Sequence, residues 1–564
     1  MSGPAAPARS EPTRLMCAGA YLDGRFRRKA IAELVECPER VAAPSLGFDA
    51  VPVLRHCLHA RRLETEAGGW LVLVWSTWPV AALAAGGLFG MFAEDGEAGQ
   101  AALQVLGLTL WFMLGFASLC LLAWARRFVS GRPTGVYLAD RDDRRNREGR
   151  RAWPVLVFKA GTWAASAGIG TTMLGTLLLP LDEAGGAPKA LALLLVNGAW
   201  PGLIALVVDR HRSRVDAVLL TALTQSAFTG AGPEVPPHYE PLLRRIGTEQ
   251  YSSTVLYDPG DPFKGAGAPR RPWTLALELR PVSDEGARRL TGRRLVDVIR
   301  RRAEALTERV DEESRDRLTH LEVSEQVFLP GPLPYGSGRA RLPIGPEDRE
   351  PAKGHVADAV REGGEQRRHF LRLRVGGWEE EVVTTVYVRA HCQGRMLLLE
   401  VAPHVLPPIT DRFRAVDALP GSAADRGPAA RAGTALLLAP AASFMAGAAL
   451  FRAAASGIRA RLADRGPARA EPPRASLREI ASGGRLSLFQ EMDVERYTQT
   501  LHGRVGSAVR RSLVDAGYQA DELQRHIVNI GAGGVFVGGS VTGGAIASGR
   551  GANAAHIGEE SERG

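Results

Sequence analysis

The chain has 564 residues, 45% of them hydrophobic, with 70 Lys and Arg against 61 Asp and Glu and a net charge of +9. That excess would suit nucleic acid, but much of it flanks apolar segments and no zinc finger or RNA-recognition motif accompanies it, so nucleic-acid binding is not expected. Cys17, Cys37, Cys57, Cys120 and Cys392 are few, scattered and odd in number, which argues against a disulfide framework and for free thiols on a reducing side.

Residues 1–14 are rich in Pro, Ala and Arg without an apolar core, so neither order nor a cleaved signal is expected there. Residues 15–68 read as a cytosolic helical segment. Apolar segments follow at about Trp70 to Phe92, Ala101 to Ala125, Pro154 to Leu181 and Pro188 to Val208. Each is long enough to span about 30 Å of hydrocarbon. They predict a four-helix transmembrane region over 69–209, arranged as two hairpins. Arginine sets the orientation. The connector at 93–100 holds Glu94, Asp95 and Glu97 and no Lys or Arg, and the one after Leu181 holds only Lys189. Arg55, Arg61 and Arg62 precede the first segment, nine arginines lie between Arg126 and Arg151, and Arg210, Arg212 and Arg214 follow the fourth. Basic flanks stay cytoplasmic, so the plasma membrane is the expected location, with the amino terminus and everything after Arg210 in the cytosol.

A cytosolic α+β domain with a mostly antiparallel sheet is expected over 215–415. Strands are predicted at Trp273 to Arg280, His320 to Phe328, His369 to Val375, Glu380 to Arg389 and Arg395 to Val401, with Gly376 and Gly377 turning a hairpin. One amphipathic helix is predicted at Leu290 to Val310. Residues 418–485 read as a linker carrying an apolar helix at 433–451. Ala, Gly and Pro440 favour a surface or re-entrant helix there over a fifth span. Helices are expected again over 486–529, with Gly517 suited to a helix end.

The glycine-rich tail, 530–564, sets short apolar triplets between glycine pairs. Val535, Phe536, Val537, Val541 and Ile546 form a candidate interaction segment that needs a partner strand. A flexible or locally docked tail is the first expectation, and self-stacking into a homo-oligomer the alternative.

Several blocks in order resemble a known group. Tyr21-Leu22-Asp23 with Phe26-Arg27, Ala43-Pro44-Ser45, Gly47-Phe48-Asp49, and Asp261-Pro262-Phe263-Lys264-Gly265-Ala266-Gly267 with Trp273 are four of them. Leu406-Pro407-Pro408-Ile409, Ser476-Leu477-Arg478-Glu479 and Phe489-Gln490 with Asp493 and Tyr497 continue the series. Together they resemble uncharacterised multi-pass membrane proteins of actinobacteria, of the Streptomyces type. The resemblance implies membrane residence and no activity. His502-Gly503-Arg504 and Ala516-Gly517-Tyr518 depart from it by interrupting the steadier charged helix that it implies near the carboxyl terminus.

His56, Cys57 and His59 have a ligand-like density, but no second cluster lies nearby in sequence, so interfacial helix residues are expected rather than a metal site. Gly265-Ala266-Gly267 lacks the Lys-Ser/Thr pair of a phosphate loop and reads as a turn. No hydrolase, kinase or metalloprotease signature occurs. No catalytic residue, metal or cofactor is therefore expected. The expected role is a non-enzymatic membrane-anchored scaffold or signalling protein, acting on an unknown cytosolic partner through the domain and tail. A small-molecule transporter or channel component is the alternative, weakened because Lys159 is the only charge well inside a span. A membrane-bound enzyme is the second alternative.

Overall fold

The computed structural model describes residues 7–90, 98–129, 160–169, 186–283, 287–308, 320–331, 356–361, 367–419, 427–463 and 470–520, with 157, 171, 318, 364 and 523 between them. In chain order the helices are α1 (Glu11–Leu22), α2 (Gly24–Ile31), α3 (Ala50–Gly90), α4 (Ala98–Val129), α5 (Gly186–Ala222), α6 (Glu240–Glu249), α7 (Gly292–Glu304), α8 (Pro428–Ala463), α9 (Leu477–Ala481) and α10 (Leu488–Asp515). The strands are β1 (Thr254–Tyr257), β2 (Ala268–Pro269), β3 (Trp273–Glu278), β4 (Leu321–Pro330), β5 (Arg368–Gly377), β6 (Val382–Gln393) and β7 (Met396–Leu406). They form two compact units, the first made of 1–250, 409–468 and 480–483 and the second of 251–408, 469–479 and 484–564.

Among the described residues, two helices of the first unit, over Ala50–Ala85 and Leu106–Arg126, are long and apolar enough to cross a membrane. A bent pair in α8, Ala429–Phe444 and Gly447–Arg459 at 45° to each other, passes the same test when taken together. The fourth apolar segment lies in α5. Of the third, 160–169 is helical and most of the remainder lies outside the described residues. Trp78 sits fully buried where α3, α4, α5 and α8 meet, packed with Leu71, Phe112, Phe116, Ile204 and Ala442. Its ring stacks on Trp200 at 6.4 Å and meets Phe112 edge-on at 5.8 Å. The Trp200 indole N–H donates to the Val74 carbonyl at 2.9 Å, so a polar atom inside this apolar bundle is satisfied.

Order begins earlier than the composition suggests. Ser10 caps α1 by accepting from the Thr13 N–H, Pro12 sits in the first turn, and Arg14 is buried between Glu11 and Asp417. Buried Arg27 pairs with Glu64 and ties α2 to α3. Gly19 is required for packing, because a Cβ there would overlap the Phe413 ring.

α8 packs against α3, α4 and α5. Near its start, Arg431 donates to Ser213 Oγ at 2.7 Å. Near its end, Ser456 meets Arg61 at 3.2 Å and Arg459 pairs with Glu36 at 2.9 Å. Arg214, next to Ser213, pairs with Glu66 at 3.2 Å. Both ends of α8 are thus held to the arginine-rich end of α3 and α5.

The second unit is built on a seven-stranded sheet of order β1-β4-β5-β6-β7-β2, with β3 also paired to β7. The sheet is mixed, which corrects the mostly antiparallel expectation: β1 runs parallel to β4, pairing Thr254 with Val327, while the remaining pairings are antiparallel. The parallel strand has only four residues, too few for alternation to announce it. Two helices, not one, cover one face. α7 contributes Leu295, Val296, Ile299 and Ala303, and α10 contributes Leu501, Val505, Ala508 and Leu513, against Leu371, Leu373, Val386, Val388, Leu397 and Leu399. A Ser487–Gln490 capping box starts α10. The helix runs unbroken through His502, Gly503 and Arg504 and ends before Gly517, whose φ of 80° suits the left-handed position after a helix.

Candidate interaction surface

The β5–β6 hairpin is closed by a costly turn. After Gly376 and Gly377, Trp378, Glu379 and Glu380 take φ of 54°, 56° and 70°, and each such L-residue costs about 1–2 kcal/mol. Side chains around the tip hold it. The Glu380 carboxylate pairs with Arg374, and Arg478, fully buried, donates to the carbonyl oxygens of Glu381 at 2.5 Å and Glu380 at 3.4 Å. Burial pushes the Arg478 guanidinium down to about 10, still charged at neutral pH. The Trp378 indole N–H reaches Asp493 Oδ2 of α10 at 3.2 Å.

The result is an exposed tryptophan beside the opening turns of α10. Trp378 is 48% exposed, and Leu488, Phe489 and Met492 are 69%, 68% and 59% exposed. Asp493, bonded to Arg496 at 3.0 Å, borders the patch with charge. Aromatic and Met side chains beside charged residues have the composition of a protein-binding surface. The blocks at Phe489, Gln490 and Asp493 lie here; the contribution of Trp378 depends on the hairpin and was not legible.

Two other polar clusters among the described residues of this unit are engaged by its own side chains. The N–H groups of Gly265 and Gly267 both donate to Glu479 Oε1, at 2.8 and 3.1 Å, so a carboxylate of the chain fills the position an anion would take. Burial raises the Glu479 pKa above the usual carboxylate range, against the pull of those two N–H groups and Lys264. Beneath this turn Phe263 packs against Tyr387 at 4.6 Å, His404 at 4.8 Å, and Phe328 and Phe370 at 5.3 Å. On the helix-covered face Glu325 collects Arg293, Arg300 and His369. Burial, then Arg293, Arg300 and Arg389, lower His369 to about 3, so it meets Glu325 as a neutral donor at 3.1 Å.

In the first unit His56 and His59 both contact the Tyr21 hydroxyl, at 3.0 and 2.9 Å. The five cysteines form no disulfide. Among the described residues no group of three His, Cys, Asp or Glu is placed to hold a metal ion. Val535, Phe536, Val537, Val541 and Ile546 lie outside the described residues.

Residues 272–544 match the family model of the AbeC-like domain. The matched segment begins just before β3 and ends inside the glycine repeat. It agrees with the resemblance to the extent of an uncharacterised family, and covers β3 to β7, α7, α8, α10 and the first part of the tail. Comparison with curated proteins and with solved structures returns no match.

Proposed function

We propose that this is an integral membrane protein that acts without catalysis, as a scaffold or signalling component whose α+β domain binds a cytosolic protein. The observation that carries this reading is the Trp378 hairpin, where backbone strain and the buried Arg478 are spent on holding an indole outward beside Leu488, Phe489 and Met492. Bound polar clusters elsewhere in the unit support it, since their donors and acceptors serve internal contacts.

On this reading the four apolar segments cross the plasma membrane, and the basic flanks keep the amino terminus and the second unit in the cytosol. α8 then enters and leaves on one side, supported by its two ends being held near the same arginines. The family match running into the repeat supports counting the tail with the binding domain.

A photo-crosslinking residue at Phe489 in the full chain tests the reading in cells. One discrete crosslinked protein is expected, lost on Trp378→Ala or Met492→Asp with the amount of membrane protein unchanged. Crosslinks indifferent to both substitutions would refute the surface. Deleting 530–564 from the same protein reports whether the tail contributes.

A further inference from the structure

Two cavities open along the same pair of helices in the first unit. One, about 300 Å³, has His59, Arg61, Arg62, Glu234, Tyr239 and Ser456 in its lining. The other, about 410 Å³, is walled mainly by apolar groups, among them Leu71, Trp75, Cys120, Phe444 and Gly447. α3 and α8 line both. Arg61 and Val72 are eleven residues apart on α3, roughly 16 Å, and Phe444 and Ser456 twelve apart on α8, roughly 18 Å. The cavities are therefore stacked along one seam, with Arg61 and Arg62 in the lining of one and Trp75 and Phe444 in the lining of the other.

Around the first of these cavities three arginines, Arg61, Arg62 and Arg214, face two carboxylates, Glu66 and Glu234. Arg61 donates to two neutral hydroxyls, Tyr239 at 2.7 Å and Ser456 at 3.2 Å, while Arg62 pairs with Glu66 at 2.9 Å. Glu234 is the carboxylate in the wall. A separation near 16 Å matches half of the roughly 30 Å hydrocarbon core, the distance from one headgroup layer to the middle of the bilayer.

We infer that this seam holds one anionic phospholipid of the arginine-side leaflet, its phosphate against Arg61 and Arg62 and an acyl chain in the groove between α3, α4 and α8. The inference rests on the membrane reading. Planar guanidinium donors suit a phosphate diester, and an inner leaflet rich in anionic lipid supplies the ligand. The 45° bend in α8 falls between Phe444 and Gly447, which both line the apolar cavity.

Native mass spectrometry of the full chain in detergent, with phosphatidylglycerol or phosphatidylcholine added, tests this. One phosphatidylglycerol is expected to remain bound where phosphatidylcholine does not. Arg61→Gln with Arg62→Gln should lower its occupancy at least tenfold. Gly447→Phe should do the same from the other end, because a Cβ at Gly447 meets nothing within 4 Å and the ring fills the groove. Equal retention of both lipids, or retention unaffected by either change, would overturn the assignment. Inorganic phosphate that displaces the lipid while Gly447→Phe has no effect would also overturn it, leaving a simple anion site. Alkaline carbonate extraction separates the two readings: release of the protein refutes membrane integration, whereas retention with no bound lipid refutes only this site.

Discussion

Gly267 shows how tightly one residue can be specified. Its φ is +87°, and a Cβ there would press into the Val405 carbonyl at the pairing of β2 with β7. Gly267→Ala is expected to destabilise the protein by about 3 kcal/mol, read as a lower unfolding midpoint, since it combines strain with a backbone clash. His369 makes a prediction about pH. Its folded pKa, about 3, lies below the unfolded value near 6.5, so the neutral form is favoured on folding. Its contribution is complete above pH 6.5 and is lost as pH falls toward 3. His369→Gln should flatten the fall in denaturant midpoint between pH 6.5 and 4; an unchanged slope would show that the fall comes from other groups.

At the scale of the element, the β5–β6 turn is the clearest departure from local preference. Sheet register on both sides is regular, with Val375 opposite Thr384 and Gly377 opposite Val382, so the strain is confined to the tip. Glu379 is exposed and has a left-handed φ of 56°. Glu379→Gly should therefore stabilise the protein by about 1 kcal/mol, raising its thermal midpoint by a small measurable amount. If the midpoint falls, the turn is not strained as described. The same substitution leaves Trp378 in place and should preserve partner crosslinking at Phe489. α8 makes the complementary point about elements: its composition of Ala and Gly is poor in large side chains, yet these small residues let it approach Trp78 closely inside the bundle.

For the whole molecule, the decisive measurement is sidedness. With the wild-type chain as background, a cysteine introduced at Glu97 should react with a membrane-impermeant maleimide from outside intact cells, and one at Gln519 only after permeabilisation. Labelling at Gln519 from outside would reverse the proposed orientation and remove the cytosolic partner surface with it. Because 251–408 and 484–520 build one sheet-and-helix core, the proposed topology keeps the segments before and after α8 on one side of the membrane. A straight crossing by α8 would separate them.

The sequence by itself determined the elements with strong patterns. Trp273 to Glu278 alternates, Leu295, Val296, Ile299 and Ala303 follow helical spacing, and the uncharged runs within α3 and α4 have the length of a bilayer. Such features depend on neighbours a few residues away, and so survive in a linear reading. Tertiary structure alone decided the short parallel strand β1, the packing of α10 from beyond residue 484 onto a sheet that ends at Leu406, and the capture of Glu479 by the turn at Gly265. It also decided that Trp378 meets Asp493 of α10, and that two cavities share one seam. These pairings join residues 73 or more positions apart, and which partners meet is set by packing the whole core rather than by any local preference.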